Sequence, residues 1–355
     1  VIDNLEHINL SRNYIFGSDP EVFSRDKRGQ IVPAFTFLPP KTDPLKVDIQ
    51  YQHEGGISFP AYIYNDGFQA ELRANPHGCV AYVVDSIRTG LKGIWEKSNG
   101  ASLVLDNAPQ IPIEVLQETP DEHVILGCDP SRNAYNMGGA CVGDPRALRY
   151  RFTGFHIHSS GWRLSQDIEK NEKLLIPYVK AFDSILGVFF VAAGAHLESA
   201  KRREFYGLAG EYRLPPHGLE YRVLSSVVMA HPGITNLAFE LARGVIALVD
   251  SMATKLWVAD EDETIGVINS NNQQAARALI TRNKDLFKYL LNFGRDGKRY
   301  MQRPYLGESA YKLSQNGIDS LIKDPHNFVE NWKFEGDWLG HGDGNMESWS
   351  QLCQK

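Results

Sequence analysis

The sequence predicts an α+β fold: a curved, mainly antiparallel sheet with flanking helices and a helical C-terminal part. Three observations predict it. Residues 1–75 alternate aromatic and β-branched residues with polar ones between Gly- and Pro-rich turns. Two later stretches carry apolar residues at three- and four-residue spacing, the period of a helix face. After Pro232 that helical spacing recurs in segment after segment.

In chain order, Gly17-Ser18-Asp19-Pro20, Leu38-Pro39-Pro40-Lys41 and Glu54-Gly55-Gly56 punctuate the first stretch, and Asn75-Pro76 ends it. A helix is expected over about His77–Lys97, with Val80, Val83, Val84, Ile87, Leu91 and Ile94 on one stripe. Residues 101–165 return to strands and long loops. A second long helix is expected over Lys170–Ala200. It contains the longest apolar run, Ile185–Ala195, which Asp183 and His196 close off. That run is too short to cross a bilayer and reads as a buried helix. Residues 205–226 read as strand, broken at Pro215-Pro216. Further helices are expected near 234–256, 272–293 and 307–322. The result is one domain: a catalytic core over 1–232, a helical part over 233–335, and an irregular tail over 336–355.

Composition narrows the function. The chain has 355 residues, 43% hydrophobic and 23% charged, which suffices for a buried core. A net charge of −6 gives no basic surplus for nucleic acid, so none is expected as partner. The four cysteines, Cys79, Cys128, Cys141 and Cys353, form no C-x-x-C pair and no disulfide framework, which fits a reducing compartment. No signal-peptide core stands at the start, and neither membrane association nor a P-loop, G-x-G-x-x-G, G-x-S-x-G or H-E-x-x-H motif is expected.

The informative pattern is a set of polar pairs two residues apart on predicted strands, a spacing that puts both side chains on one face. Asp19 and Glu21 form one pair; Gln69, Glu71 and Arg73 form a row; His156 with His158, Glu211 with Arg213, and Glu220 with Arg222 complete the set. Phe155, Ile157, Leu219, Tyr221 and Val223 make the alternate positions apolar. A solvated sheet face explains any one pair. The collection is different, because acids, imidazoles and arginines converge without a single Lys in these segments. Carboxylates and an imidazole suit divalent cations, and arginines suit phosphate oxygens. Lys201-Arg202-Arg203 follows the second long helix; for Lys201 and Arg202 a helix-terminal cation explains the position equally well.

These segments resemble glutamine synthetase. Phe16-Gly-Ser-Asp-Pro-Glu-Val-Phe23 is similar to its strand with two metal-binding acids around a proline. Asp66-Gly-Phe-Gln-Ala-Glu71 is similar to the strand with a further metal-binding Glu, Gly154-Phe-His-Ile-His158 to the strand whose His reaches metal and nucleotide, and Gly218-Leu-Glu-Tyr-Arg222 to the late Glu-x-Arg strand. The closer resemblance is to the phage phiEco32-like COOH-NH2 ligases of type 2, through Tyr206-Gly-Leu-Ala-Gly-Glu-Tyr-Arg213 and Gly218-Leu-Glu-Tyr-Arg-Val-Leu-Ser225, and it covers roughly residues 14–230. Two departures stand out. Phe155 occupies a position where the family often has Gly, which would crowd a nucleotide. Asp19 stands where glutamine synthetase has Glu, one methylene longer.

The resemblance implies a sheet of the glutamine synthetase-like catalytic type and an ATP-dependent ligase that joins a carboxylate to an amine through an acyl phosphate. It implies ATP with Mg²⁺ or Mn²⁺. Asp19, Glu21, Glu71, His156 and Glu220 would hold the metal ions, with Glu21 and Glu220 on neighbouring strands. Arg203, Arg213 and His158 would bind the nucleotide. Arg213, Arg222 and Asp66 would act on the reacting groups, Asp66 as a further ligand or as a base for the amine. The partners would be a small molecule or peptide supplying carboxylate and amine, with a homo-oligomer and other phage proteins left open. The setting would be the cytoplasm of an infected bacterium, or the virion. The loops at 36–60 and 127–148 are the expected specificity elements. A di-metal hydrolase and a non-catalytic virion protein remain the alternatives.

Overall fold

The alternating segments form strands that pair antiparallel throughout. In the computed structural model, which describes residues 14–48, 58–124, 131–135, 144–161, 174–250, 260–292 and 321–323, eleven strands fall into two sheets. They are β1 (Ile15–Ser18), β2 (Glu21–Arg25), β3 (Ile31–Val32), β4 (Leu45–Val47), β5 (Ala61–Asp66), β6 (Gln69–Ala74), β7 (Ser102–Val104), β8 (Arg132–Asn133), β9 (Ile157–Ser160), β10 (Glu211–Arg213) and β11 (Leu219–Tyr221). One sheet runs β1-β9-β11-β10-β8; the other runs β3-β2-β6-β5-β4, with β7 on β2. Together they make a curled, half-barrel wall.

The chain passes from one sheet to the other at Asp19-Pro20. Pro20 has no N–H to give a ladder, yet its carbonyl accepts from Leu72 N at 3.1 Å in the second sheet. One residue on, Glu21 N donates to Gly154 O at 3.1 Å, on the segment that leads into β9 of the first sheet. The junction is therefore tied to both walls.

Besides a helical stretch at 321–323, nine α-helices lie among the described residues: α1 (Val80–Lys97), α2 (Ile113–Glu118), α3 (Asp121–Val124), α4 (Ile176–Phe182), α5 (Val188–Gly194), α6 (Pro232–Asp250), α7 (Glu261–Asn269), α8 (Gln273–Arg282) and α9 (Lys284–Asn292). The predicted stripe of α1 is buried throughout and packs on β5 and β6. Gly93 permits the approach, since a Cβ there would lie 2.9 Å from Val47. Residues 77–79 are not helical; His77 instead exchanges two backbone bonds with Phe16, at 3.1 and 2.9 Å.

The second long helix is interrupted. α4 and α5 are joined by a π-turn, Asp183–Gly187, and α5 ends in a 3-10 turn, Ala195–Leu197. The wider turn places buried Asp183 where Tyr221 on the back of β11 donates to it at 2.7 Å. Burial pushes the Asp183 carboxyl up to about 7, against the hydrogen bonds from Tyr221 and Tyr135. By length and composition Ile176–Leu197 and α6 could cross a membrane, but they are 83% and 94% buried inside the protein, so their apolar surface is spent on the core.

The expected helix over 272–293 is two helices, broken at Asn283, whose φ is −118°. α7 was not expected; Asp260 caps it, accepting from Glu263 N at 2.6 Å, with Glu261 and Asp262 in its first turn. α2 and α3 also lie in a stretch read as strand and loop; each follows a proline, Pro112 and Pro120. Most of 307–322 and all of 336–355 lie outside the described residues.

Beside Tyr206 sits a buried ionic clamp. Arg202 donates to Glu198 at 3.0 Å, to Thr153 O at 2.8 Å and to Leu224 O at 2.8 Å. Arg203 donates to the same Glu198 at 3.1 Å, to Val223 O at 2.9 Å and to Gly207 O, and its Nε lies 2.8 Å from the other Glu198 oxygen as an ion pair. The clamp ties the segments that enter β9 and leave β11. Removing one partner leaves a buried charge uncompensated. Arg202→Met should therefore lower unfolding free energy in urea by about 3–5 kcal/mol, and adding Arg203→Met and Glu198→Leu should restore much of it. Equal stability of the single variant and wild type would contradict a clamp.

Candidate active site

Strand alternation now decides which side chains meet. Phe155, Ile157, Leu219, Tyr221 and Val223 are fully buried on the helix side of the first sheet. His156, His158, Glu220 and Arg222 therefore share the other face. Phe155 packs edge-on against Phe239 of α6, with centroids 5.8 Å apart, so the crowding expected of it does not arise.

Register brings the face together. Glu220 lies opposite His158 on β9 and opposite Arg213 on β10; Glu21 lies opposite Glu71, and Glu71 opposite Tyr64. Asp66 ends β5 at a two-residue hairpin whose Gly67 has φ +66°. Two donor sets result. Asp19, His158 and Glu220 offer ligand atoms within 4.8 Å of one another, and so do Glu21, Asp66 and Glu71. Pro20 separates the two sets in sequence. Glu21 and Glu220 are thus not on neighbouring strands: β2 and β11 belong to different sheets, and each residue serves a different set.

Around the first set runs a hydrogen-bonded chain. Arg222 donates to Tyr206 Oη at 3.1 Å, which meets His156 Nε2 at 2.5 Å, while His156 Nδ1 meets Asp19 Oδ1 at 2.9 Å. A neutral His156 with its proton on Nδ1 completes this chain. Burial and Arg222 push its pKa down to about 4, against the pull of Asp19. His156 Nδ1 also lies 3.7 Å from Glu220 Oε1, so His156, the imidazole the sequence implied, borders the first donor set together with His158. His158 Nε2 lies 3.0 Å from Asp19 Oδ1 and its Nδ1 lies 2.9 Å from His217 Nε2. Burial pulls the His158 pKa down, but Asp19 and Glu220 outweigh it and raise it. Burial raises Asp19 and Glu220, yet the imidazoles hold Asp19 well below the usual carboxylate range, and the imidazoles with Arg222 hold Glu220 low. Gly154 is required here: a Cβ would lie 2.8 Å from His156 Nε2 and 3.1 Å from Tyr206 Oη.

The second set behaves oppositely. Burial, Glu71 and Asp66 push Glu21 well above the usual range. Burial and Asp19 push Glu71 up to about 7, although Lys41 opposes them. Burial raises Asp66 against Lys41, Arg222 and Arg213. Glu21 accepts from Gly154 N at 2.7 Å, and Glu71 accepts from Tyr64 at 2.7 Å and Lys41 at 3.1 Å. Buried carboxylates this close repel unless a cation joins them. The all-oxygen set fits a hard ion such as Mg²⁺ or Mn²⁺; the set with His158 fits Mn²⁺ or a similar ion.

The arginines separate. Arg222 is 1% exposed and bonded to Glu220, Tyr206 and Ser131; it braces the site. Arg213 is 24% exposed, 3.8 Å from Glu220, and its charge acts on Asp66. Arg203 does not belong here. Its charge acts on Asp183 and Tyr221 behind the sheet, and Glu198 with main-chain carbonyls engages its guanidinium. Its expected phosphate role is thereby corrected to the clamp. Glu211 accepts from Gly207 N at 3.0 Å, and Arg73 packs on Tyr62. Sequence reading missed Lys41, Tyr64, Ser131 and His217, and it gave Tyr206 no role although it marked the segment as distinctive. The loops 36–60 and 127–148 lie partly outside the described residues.

Residues 142–292 match the model of the phage phiEco32-like COOH.NH2 ligase-type 2 family. The matched region is less than half of the chain. It carries His156, His158, Tyr206, Arg213, Glu220 and Arg222, while Asp19, Glu21, Asp66 and Glu71 precede it. The family's description names a carboxylate–amine ligase. A comparison with curated proteins finds no match.

The raised carboxyls make a stability prediction. An acid whose folded pKa exceeds its unfolded value binds more protons when folded, so its ionisation costs stability as pH rises between the two. For Glu71 that window is 4.5 to about 7. Metal-free Glu71→Gln should match wild type in unfolding free energy below the window and exceed it above, by a difference on the order of 3 kcal/mol, with a higher Tm only there. A Tm difference that does not change with pH would contradict this. Saturating Mn²⁺ should erase or reverse the advantage.

Proposed function

We propose that the chain is an ATP-dependent carboxylate–amine ligase of the glutamine synthetase-like type. The observation that carries this reading is the pairing of two carboxylate donor sets on one wall with arginines bearing on them. A plain hydrolase has less use for those cations. The family match agrees with a ligase.

In the proposed reaction the acceptor carboxylate attacks the γ-phosphorus of ATP. A P–O bond forms to the acyl oxygen, the P–O bond to ADP breaks, and an acyl phosphate results. The amine then attacks the carbonyl carbon, orthophosphate leaves with the C–O bond electrons, and the amine nitrogen gives up a proton to yield the amide. Divalent cations held by Asp19, His158 and Glu220 and by Glu21, Asp66 and Glu71 would neutralise phosphate charge. The protein's own part is positioning and electrostatics. Arg213, at the rim, is the residue for contact with the transferring phosphoryl oxygens. Arg222 and Tyr206 hold Glu220 and His156 in place. Asp66 stands among the cation donors, which favours the ligand role over that of a base. The acceptor is proposed to be an amino acid or peptide carboxylate and the amine a small molecule or protein side chain. The proposed setting is the cytoplasm of an infected bacterium.

ADP release, measured with panels of carboxylates and amines, tests the reading. Release should require Mg²⁺ or Mn²⁺ and both substrates. Arg213→Ala should lower kcat/KM for ATP by about 10²-fold or more while leaving Mn²⁺ binding near wild type. Phosphoester hydrolysis that ignores the amine, or a protein that binds no nucleotide, would overturn the ligase reading.

A further inference from the structure

Lys41 stands at the second donor set, and neither the sequence motifs nor the family match gives it a task. Its ammonium meets both oxygens of Glu71, at 3.1 and 3.2 Å, and lies 5.2 Å from the centroid of Tyr64. Glu71 Oε1 thus accepts from both Lys41 and Tyr64, while the Glu71 carboxylate is also one that a cation would need. An ammonium and a divalent ion on the same carboxylate repel one another.

The backbone beneath Lys41 is fixed while its tip is not. Buried Asn65 donates to Leu38 O at 2.9 Å and to Pro39 O at 2.8 Å, and Asn65 N donates to Pro39 O at 2.9 Å. Asn65 lies between Tyr64, which holds Glu71, and Asp66, which belongs to the donor set; three consecutive residues of β5 serve one place. The Lys41 side chain is nonetheless 57% exposed, and its four-carbon stem can carry the charge away from Glu71 towards solvent.

We propose that Lys41 is an exchangeable counter-ion: its ammonium neutralises Glu71 in the metal-free protein, yields that place to a divalent cation, and then contacts the phosphate of the bound nucleotide. The exchange stands on the geometry of Lys41 and Glu71; the phosphate contact rests on the ligase reading.

Calorimetric titration of Mn²⁺ into the full chain tests the exchange without any turnover. Lys41→Met removes the competitor and should bind Mn²⁺ about fivefold tighter than wild type, the effect of losing a partly exposed ion pair. Lys41→Arg should stay near wild type, and Lys46→Met, an exposed lysine on β4, should change nothing. Circular dichroism and Tm establish that each variant is folded. Unchanged or weaker Mn²⁺ binding by Lys41→Met overturns the exchange. At saturating Mn²⁺ the same variant should bind ATP about fivefold more weakly. Unaltered ATP affinity overturns the phosphate contact. If the wild-type protein binds no ATP at all, the ligase reading fails and the phosphate contact with it, while the Mn²⁺ titration still decides the exchange.

Discussion

Asp19 and Glu21 are separated by one residue, and at that residue the chain changes sheets. Pro20 and Glu21 are bonded to opposite walls through Leu72 N and Gly154 O. An acid on each side of the crossing is consequently delivered to a different donor set. Asp19 goes to His158 and Glu220, and Glu21 to Asp66 and Glu71. The nearness of the two sets follows from this junction, because two sheets that share a continuous chain cannot drift apart there. Gly154 is bound into it twice: its carbonyl accepts from Glu21 N and its N–H donates to the Glu21 carboxylate. The clamp of Glu198, Arg202 and Arg203 then fixes the segments that flank Gly154 and Arg222.

The two sets are electrostatically unequal. Asp19 and Glu220 have charged partners in His158 and Arg222, and their carboxyls stay low in pKa. Glu21 and Glu71 face each other, Asp66 and Asp19, and although Arg222 and Lys41 oppose the shift, their carboxyls are raised. The first set is compensated by the protein itself; the second is left short of positive charge in a buried place. That difference assigns the larger gain from a divalent cation to the all-carboxylate set. It also explains why the positive side chains fall into three kinds. Arg222 is buried and braces Glu220, Arg213 stands at the rim, and Lys41 can move. Only the last two have the exposure to meet an anionic ligand.

Much of the wall was legible in the sequence, since a strand has a period of two. The rows through His156–His158 and Glu220–Arg222 follow directly from alternation with Phe155, Ile157, Leu219 and Tyr221, and α1 follows from its stripe. What alternation cannot give is which row faces which. It paired Glu21 with Glu220, although β2 and β11 lie in different sheets. It did not reveal that His158, expected at the nucleotide, would stand beside Asp19 together with His156. Arg203 was misplaced for a related reason: a cationic run after a helix does not say which side of the sheet it will reach. Lys41 and His217 come from turns, where no periodicity marks a side chain's direction. The π-turn at Asp183 was hidden because an apolar run reads the same whether its helix is continuous or widened.

The account depends most on the claim that the two donor sets each hold a divalent cation. Anomalous diffraction from crystals soaked in Mn²⁺ measures this directly. The account predicts two peaks per chain, one bounded by Asp19, His158 and Glu220 and the other by Glu21, Asp66 and Glu71, the second lost on its own in Glu71→Gln. Mn²⁺ bound elsewhere on the chain, or the carboxylates remaining metal-free at saturating Mn²⁺, would contradict it.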